Sequence, residues 1–267
     1  MDIERLRKII VYSEKNHKEI QFMVRQFCSY AETEYGDNLL DILQIARSSL
    51  QKKGYIIFKM PFADDEIGAL CYKTDGLGYV VVNTSLPEAN VNFAIAHEIY
   101  HVFFEEDEAV SKIEFTDDRC YDHEIEYAAN LFAGILLMPE ISFKRMYQKF
   151  KNESEENEMD IIIKLMAYYR VPFMAVLIRC MELGLISGNS VSEDLLKSDK
   201  KQIRQRLIDL WLDENILNPS GQDDYLQIET LVKKTGEKYI KNEYINEHTM
   251  EKVLQNIRRL YKEIKGK

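Results

Sequence analysis

His97 and His101 stand four residues apart, with Glu98 directly after the first, in the run His97-Glu98-Ile99-Tyr100-His101. Side chains at i and i+4 of an α-helix lie one turn above each other, so both imidazoles can reach a single ion at about 2.0–2.1 Å. Zinc (Zn2+) is the metal that this spacing suggests. Glu98 points about 100° further round the helix, where it can accept a proton from a water activated by that metal without being a ligand. This is the placement of a general base for peptide-bond hydrolysis. A match to this five-residue pattern arises by chance in about one chain in a hundred of this length. Without a metal, two imidazoles and a carboxylate would sit unpartnered among Phe93, Ile95, Ile99, Val102 and Phe103, which is unfavourable by several kcal/mol.

A catalytic zinc takes a third protein ligand and keeps one position open. Glu126 is the candidate. On a helix it shares a face with Ala129, Asn130 and Ala133, and the two alanines allow close approach to the metal helix. Asn130, one turn on, is placed to orient Glu126 or to anchor a neighbouring backbone group. His123 is the competing ligand, since imidazole also suits zinc. The run Glu105-Glu106-Asp107-Glu108 reads as a solvated loop.

These side chains need particular elements to hold them. Residues 89–104 are apolar except at His97, Glu98 and His101 and contain no helix breaker, so they predict a buried helix. A second helix is predicted from Asp122 to Met138, closed by Pro139. Upstream, helical spacing covers 3–33, as one or two helices, and Leu39–Leu50. Three short extended runs at 55–60, 67–72 and 79–83, separated by turn-like residues, predict a small antiparallel sheet. The strand at 79–83, just before the metal helix, is either plain core or a sheet edge open to an extended peptide. Helices follow at 140–151, 158–168 and 172–184, the last ending at Gly184. Beyond residue 190 two helical stretches, 198–213 and 225–264, flank a loop at 218–224.

The fold class is therefore α+β: a small antiparallel sheet packed with a zincin-like HExxH helix bundle, followed by a helical C-terminal region. The expected divisions are an N-terminal helical segment (1–34), a catalytic domain (35–190) and the C-terminal region (191–267). The sequence is 46% hydrophobic and 30% charged over 267 residues, enough for a sizeable core. A net charge of −10 argues against nucleic acid as the main partner. The basic run Arg258, Arg259, Lys262, Lys265 and Lys267 reads as a solvated helix end. Cys28, Cys71, Cys120 and Cys180 show no CxxC pair, no secretory segment is legible, and no stretch approaches the length of a membrane span. A cytoplasmic protein with reduced thiols is expected, with no membrane partner.

The sheet, the stretch Phe93 to His101, and then Glu126, Ala129, Asn130, Phe132, Ala133 and Leu136-Leu137-Met138-Pro139 together resemble the ImmA/IrrE family of metallopeptidases over roughly 35–185. The resemblance implies that His97, His101 and Glu126 hold zinc and that Glu98 is the catalytic base. It further implies regulated proteolysis of a protein substrate, a DNA-binding helix-turn-helix repressor of a mobile element or a stress response. The pair at 158–184 resembles the helices that follow the family's catalytic core, and its poor basicity argues against DNA reading. Two positions depart from the family pattern. Tyr100 stands where a small residue is common, its hydroxyl facing substrate or its ring packing. Ala128-Ala129-Asn130 stands where Glu-Ala-Asn is common, so the third ligand depends on Glu126. The rival function is a non-catalytic regulatory module that binds a repressor or antitoxin-like partner; an intact Glu98 speaks against it.

Overall fold

The computed structural model describes residues 3–36, 39, 41–65, 67–74, 77–105, 124–153, 157–187 and 193–266. Among them run, in chain order, α1 (Ile3–Tyr30), α2 (Ile42–Lys52), β1 (Tyr55–Met60), β2 (Ala69–Thr74), β3 (Leu77–Asn83), α3 (Glu88–Phe104), α4 (Glu124–Leu137), α5 (Glu140–Glu153), α6 (Glu158–Tyr169), α7 (Phe173–Glu182), α8 (Glu193–Leu196), α9 (Lys200–Asp209), a 3-10 turn (Glu214–Leu217), α10 (Tyr225–Lys241) and α11 (Glu247–Ile264). The fold is α+β, with a small sheet and a helical C-terminal region.

The N-terminal stretch forms one helix. No proline or glycine interrupts it, and Leu6, Ile20, Val24 and Phe27 all turn inward. Phe27 stands edge-on to Phe103 of α3 and to Phe132 of α4, at centroid distances of 5.2 and 6.1 Å. Burying such a ring contributes about 2–3 kcal/mol. Thus α1 closes the same apolar core that surrounds α3 and α4.

The sheet is mixed, which corrects the antiparallel expectation. Its order is β1-β3-β2, with β1 parallel to β3 from Tyr55 opposite Gly78 to Met60 opposite Asn83. Only β2 runs antiparallel to β3. The cause lies in the linker between β1 and β2, which is too long for a tight hairpin and steps past the central position. Asn83, fully buried, holds that linker: its amide nitrogen donates to the carbonyls of Asp64 and Ile67, and its oxygen accepts from the Phe62 N–H. Strand β3 is thus central, paired on both sides, and cannot take up an added peptide strand. The edges are β1 and β2.

Helix α3 begins at Pro87, which has no side chain able to cap it. Its first N–H is met from far along the chain, where the Asn218 carbonyl accepts from Glu88 N at 3.1 Å. The Glu88 carboxylate takes two hydrogen bonds from Arg170, whose own carbonyl accepts from the Asn92 side chain. Arg170 ends α6 in the left-handed region (φ 52°), turning the chain sharply into α7. The α6–α7 pair packs into the core through Ile161, Ile162, Ile163, Leu165, Val176 and Leu177. No described single helix is long and apolar enough to cross a membrane. Gly184 (φ 67°) follows the end of α7, where a C-terminal glycine is expected.

The stretch 225–264 is two helices rather than one. Asn242 ends α10, Glu243 is left-handed (φ 60°), and Asn246 caps α11 by accepting from Thr249 N at 2.8 Å. One straight helix of this length would leave its apolar stripe in water, whereas the hairpin buries Met250 against Gly236. A Cβ at 236 would lie 2.2 Å from the Met250 sulfur. Ile228, Tyr261 and Ile264 dock the hairpin on Met60, Phe62 and Ile67. The basic C-terminal run is largely paired within the hairpin and its leading loop: Arg258 with Glu229, Arg259 with Glu263, and Lys265 with Asp223.

Ahead of α10, the segment 221–224 lines the β1 edge. Asp224 N donates to Lys59 O at 2.8 Å, while its buried carboxylate accepts from Lys59 N at 2.9 Å. Asp224→Ala leaves that strand N–H without its acceptor and should lower unfolding stability by about 1–3 kcal/mol in urea titrations. A change below about 0.5 kcal/mol, within the range of ordinary surface substitutions, would show that this clip does not hold the tail.

Candidate metal centre

Helices α3 and α4 pack side by side because the residues between them are small. Ala96, Ala129 and Ala133 are fully buried, and Ala128 nearly so. Close backbone approach brings Glu126 on the first turn of α4 opposite the last two turns of α3. His97 Nε2 lies 3.3 Å from one Glu126 oxygen, and His101 Nε2 lies 3.7 Å from the other. The two Nε2 atoms are 2.9 Å apart. All three side chains are partly buried, with exposures of 16, 15 and 24%.

The ring nitrogens on the far side determine what this cluster can be. His97 Nδ1 lies 3.2 Å from Asn130 Oδ1, and His101 Nδ1 lies 2.8 Å from a Glu105 carboxylate oxygen. Both partners are acceptors, so each Nδ1 carries a proton and each ring turns its Nε2 inward, the nitrogen that would give up any proton of its own to a metal. The two imidazoles and the Glu126 carboxylate each place a ligand atom within 4.8 Å of the others. Positive charge favours that convergence: a proton between the two Nε2 atoms, 2.9 Å apart, or a metal ion that displaces it. A tetrahedral ion with bonds of about 2.0–2.1 Å sets its ligand atoms about 3.3–3.4 Å apart, a value that the spacings of 2.9, 3.3 and 3.7 Å lie on either side of. These residues fit a divalent metal.

The surrounding field points the same way. Burial alone would lower the His101 pKa, but the Glu105 hydrogen bond and the charges of Glu98 and Glu126 lift it to about 9, a measure of how strongly positive charge is favoured there. Glu98 is buried among apolar residues, at 8% exposure. Its pKa is pushed upward by that burial, against the pull of His101 and His97. A carboxylate raised toward neutrality is a better proton acceptor than a solvated one.

Of the residues singled out in the sequence, His97, His101 and Glu126 come together, with Glu98 beside them on α3. His123 lies outside the described residues, as do Asp122 and the acidic positions 106–108. Asn130 differs from expectation: it faces His97 rather than orienting Glu126. Its carbonyl oxygen crosses the helix pair because close packing of Ala129 and Ala133 brings it within reach. Glu105 also differs from the solvated-loop reading, and its position four residues after His101 was the available signal. Tyr100 is buried against His101, Phe104 and Phe132, so its ring packs.

The family model Peptidase_M78, the IrrE N-terminal-like domain, matches residues 50–181, a segment that runs from the end of α2 through α7 and includes both site helices. Over this segment the chain belongs to the ImmA/IrrE family. Comparison with curated proteins returns no match. ImmA/IrrE membership makes this a metallopeptidase-type domain acting on a protein substrate, and the three converging side chains provide a group able to hold its metal.

Elemental analysis of the purified chain should find about one metal ion per protein, lost in His97→Ala and in Glu126→Ala. His123→Ala should keep it. Retention in Glu126→Ala together with loss in His123→Ala would move the third ligand to His123.

Proposed function

We propose that this chain is a zinc-dependent endopeptidase of the cytoplasm that cleaves a regulatory protein, a DNA-binding helix-turn-helix repressor of a mobile element or a stress response. The observation that carries the peptidase reading is the convergence of His97, His101 and Glu126 beside a buried glutamate. A purely structural metal site has no use for Glu98, whereas a hydrolytic site requires a base in that place. His97, His101 and Glu126 would hold the zinc ion, and its Lewis acidity would lower the pKa of a bound water and polarise a peptide carbonyl.

The protein's own part follows from its side chains. Glu98 takes the proton from the attacking water and passes it to the leaving amine, a role its upward-shifted pKa favours. Asn130 and Glu105 each engage an Nδ1 atom, so that Nε2 of both histidines is the nitrogen turned toward the metal. The repressor target rests on the family resemblance. The net charge of −10 supports contact with the protein part of a DNA-bound target rather than with the nucleic acid. In this reading, 35–190 is the catalytic domain and 1–34 and 191–267 are helical additions that pack upon it.

Comparison of new protein N termini in cells expressing wild type or Glu98→Gln tests the proposal. Wild type should generate a cleaved DNA-binding regulator that is missing from the Glu98→Gln cells, while the variant still binds zinc. With a purified substrate the rate should fall by about 10²–10⁴-fold, the usual weight of a general base. Identical N termini and unchanged regulatory output in both strains would discard the peptidase reading in favour of a binding module.

A further inference from the structure

We propose that Glu105 is a positioning residue of the metal site, holding the His101 ring through Nδ1 so that Nε2 stays aimed at the point shared with His97 and Glu126. This inference rests on the metallopeptidase reading above. His101 lies on the last turn of α3, and the helix stops at Phe104. Glu105 is the first residue beyond it, with an extended backbone (φ −82°, ψ 120°), and its carboxylate turns back by one helical turn to meet Nδ1 at 2.8 Å.

An imidazole can rotate about its bond to Cβ, and in the other orientation a carbon rather than Nε2 would face Glu126. The contact with Glu105 selects the productive orientation and makes the ring a stronger donor, as a carboxylate behind a metal-bound histidine does. Packing does not explain Glu105, because its side chain is 44% exposed and removing it opens no core cavity. As a plain exposed ion pair it would add little to stability. The two histidines are therefore braced from different directions: His97 by Asn130 across the helix interface, and His101 from the end of its own helix.

The test is a competition titration of zinc against a chromogenic zinc chelator, using the full chain. Glu105→Ala should weaken zinc affinity about 10–100-fold, the usual effect of removing such a partner. Glu105→Gln, whose amide oxygen still accepts from Nδ1, should recover most of it. The visible absorption of the cobalt-loaded protein should change in Glu105→Ala and return toward wild type in Glu105→Gln, while urea midpoints of all three metal-free proteins agree. Wild-type affinity in Glu105→Ala overturns the proposal. So does a Glu105→Gln variant as weak as Glu105→Ala, since charge alone would then be responsible. Failure of wild type itself to bind zinc would instead overturn the underlying metallopeptidase reading, and the proposal with it.

Discussion

Three atoms that would ordinarily avoid one another, the Nε2 atoms of His97 and His101 and a carboxylate oxygen of Glu126, are held within 4.8 Å. Much of the architecture serves to impose that proximity. Two of the groups share α3 and the third comes from α4, so the spacing depends on how closely the two helix backbones approach. Alanines at 96, 129 and 133 let them come close, and Phe132 fixes their relative position by packing against Tyr100, Phe104 and Phe27. A larger side chain at any of the three alanines would overpack a fully buried site, and the strain would appear first as a longer reach from Glu126 to the histidines.

Because the convergence is electrostatically unfavourable without a cation, the structure must also keep the ring nitrogens from adjusting. Asn130 and Glu105 do so by occupying both Nδ1 positions. The result is an uneven pair, one histidine backed by a neutral amide and the other by a carboxylate. Glu98 sits in the same field. It is buried on the same helix, and that burial favours its protonated form, while the two histidines favour the charged form. A carboxyl group between those tendencies is suited both to take and to return a proton.

How much of this was legible in the sequence depended on the range of the interaction. The two histidines and the glutamate between them are local: four-residue spacing on a helix fixes their relation, and the apolar run from 89 to 104 identifies that helix. Glu126 was legible because its neighbours Ala129 and Ala133 are small. The roles of Asn130 and Glu105 were not, since each depends on a side-chain direction that spacing leaves open. The parallel pairing of β1 was missed because periodicity gives strands and not their order; the deciding residue is Asn83, whose buried amide secures the linker. The break between α10 and α11 was missed because no proline or glycine marks it. It follows from the need to bury Met250 and from the cap that Asn246 supplies.

The C-terminal region shows why distance along the chain is a poor guide to relevance. Helix α3 opens on Pro87, which fixes the entry geometry but offers no side-chain oxygen, so the first-turn N–H groups need acceptors from elsewhere. Pro87 O serves Asn90 and Val91, and Asn218 O serves Glu88. Asn218 is itself fixed by Arg204, which also pairs with Glu214, and the loop after it is joined to the sheet through Gln222 and Thr84 and through Asp224 and Lys59. The same end of α3 is tied to the α6–α7 turn through Glu88 and Arg170. A displacement of residues 204–224 would therefore loosen the N-terminus of the helix that carries both histidines. The tail bears no metal-site side chain among the described residues, yet it is part of what keeps that helix in register with α4.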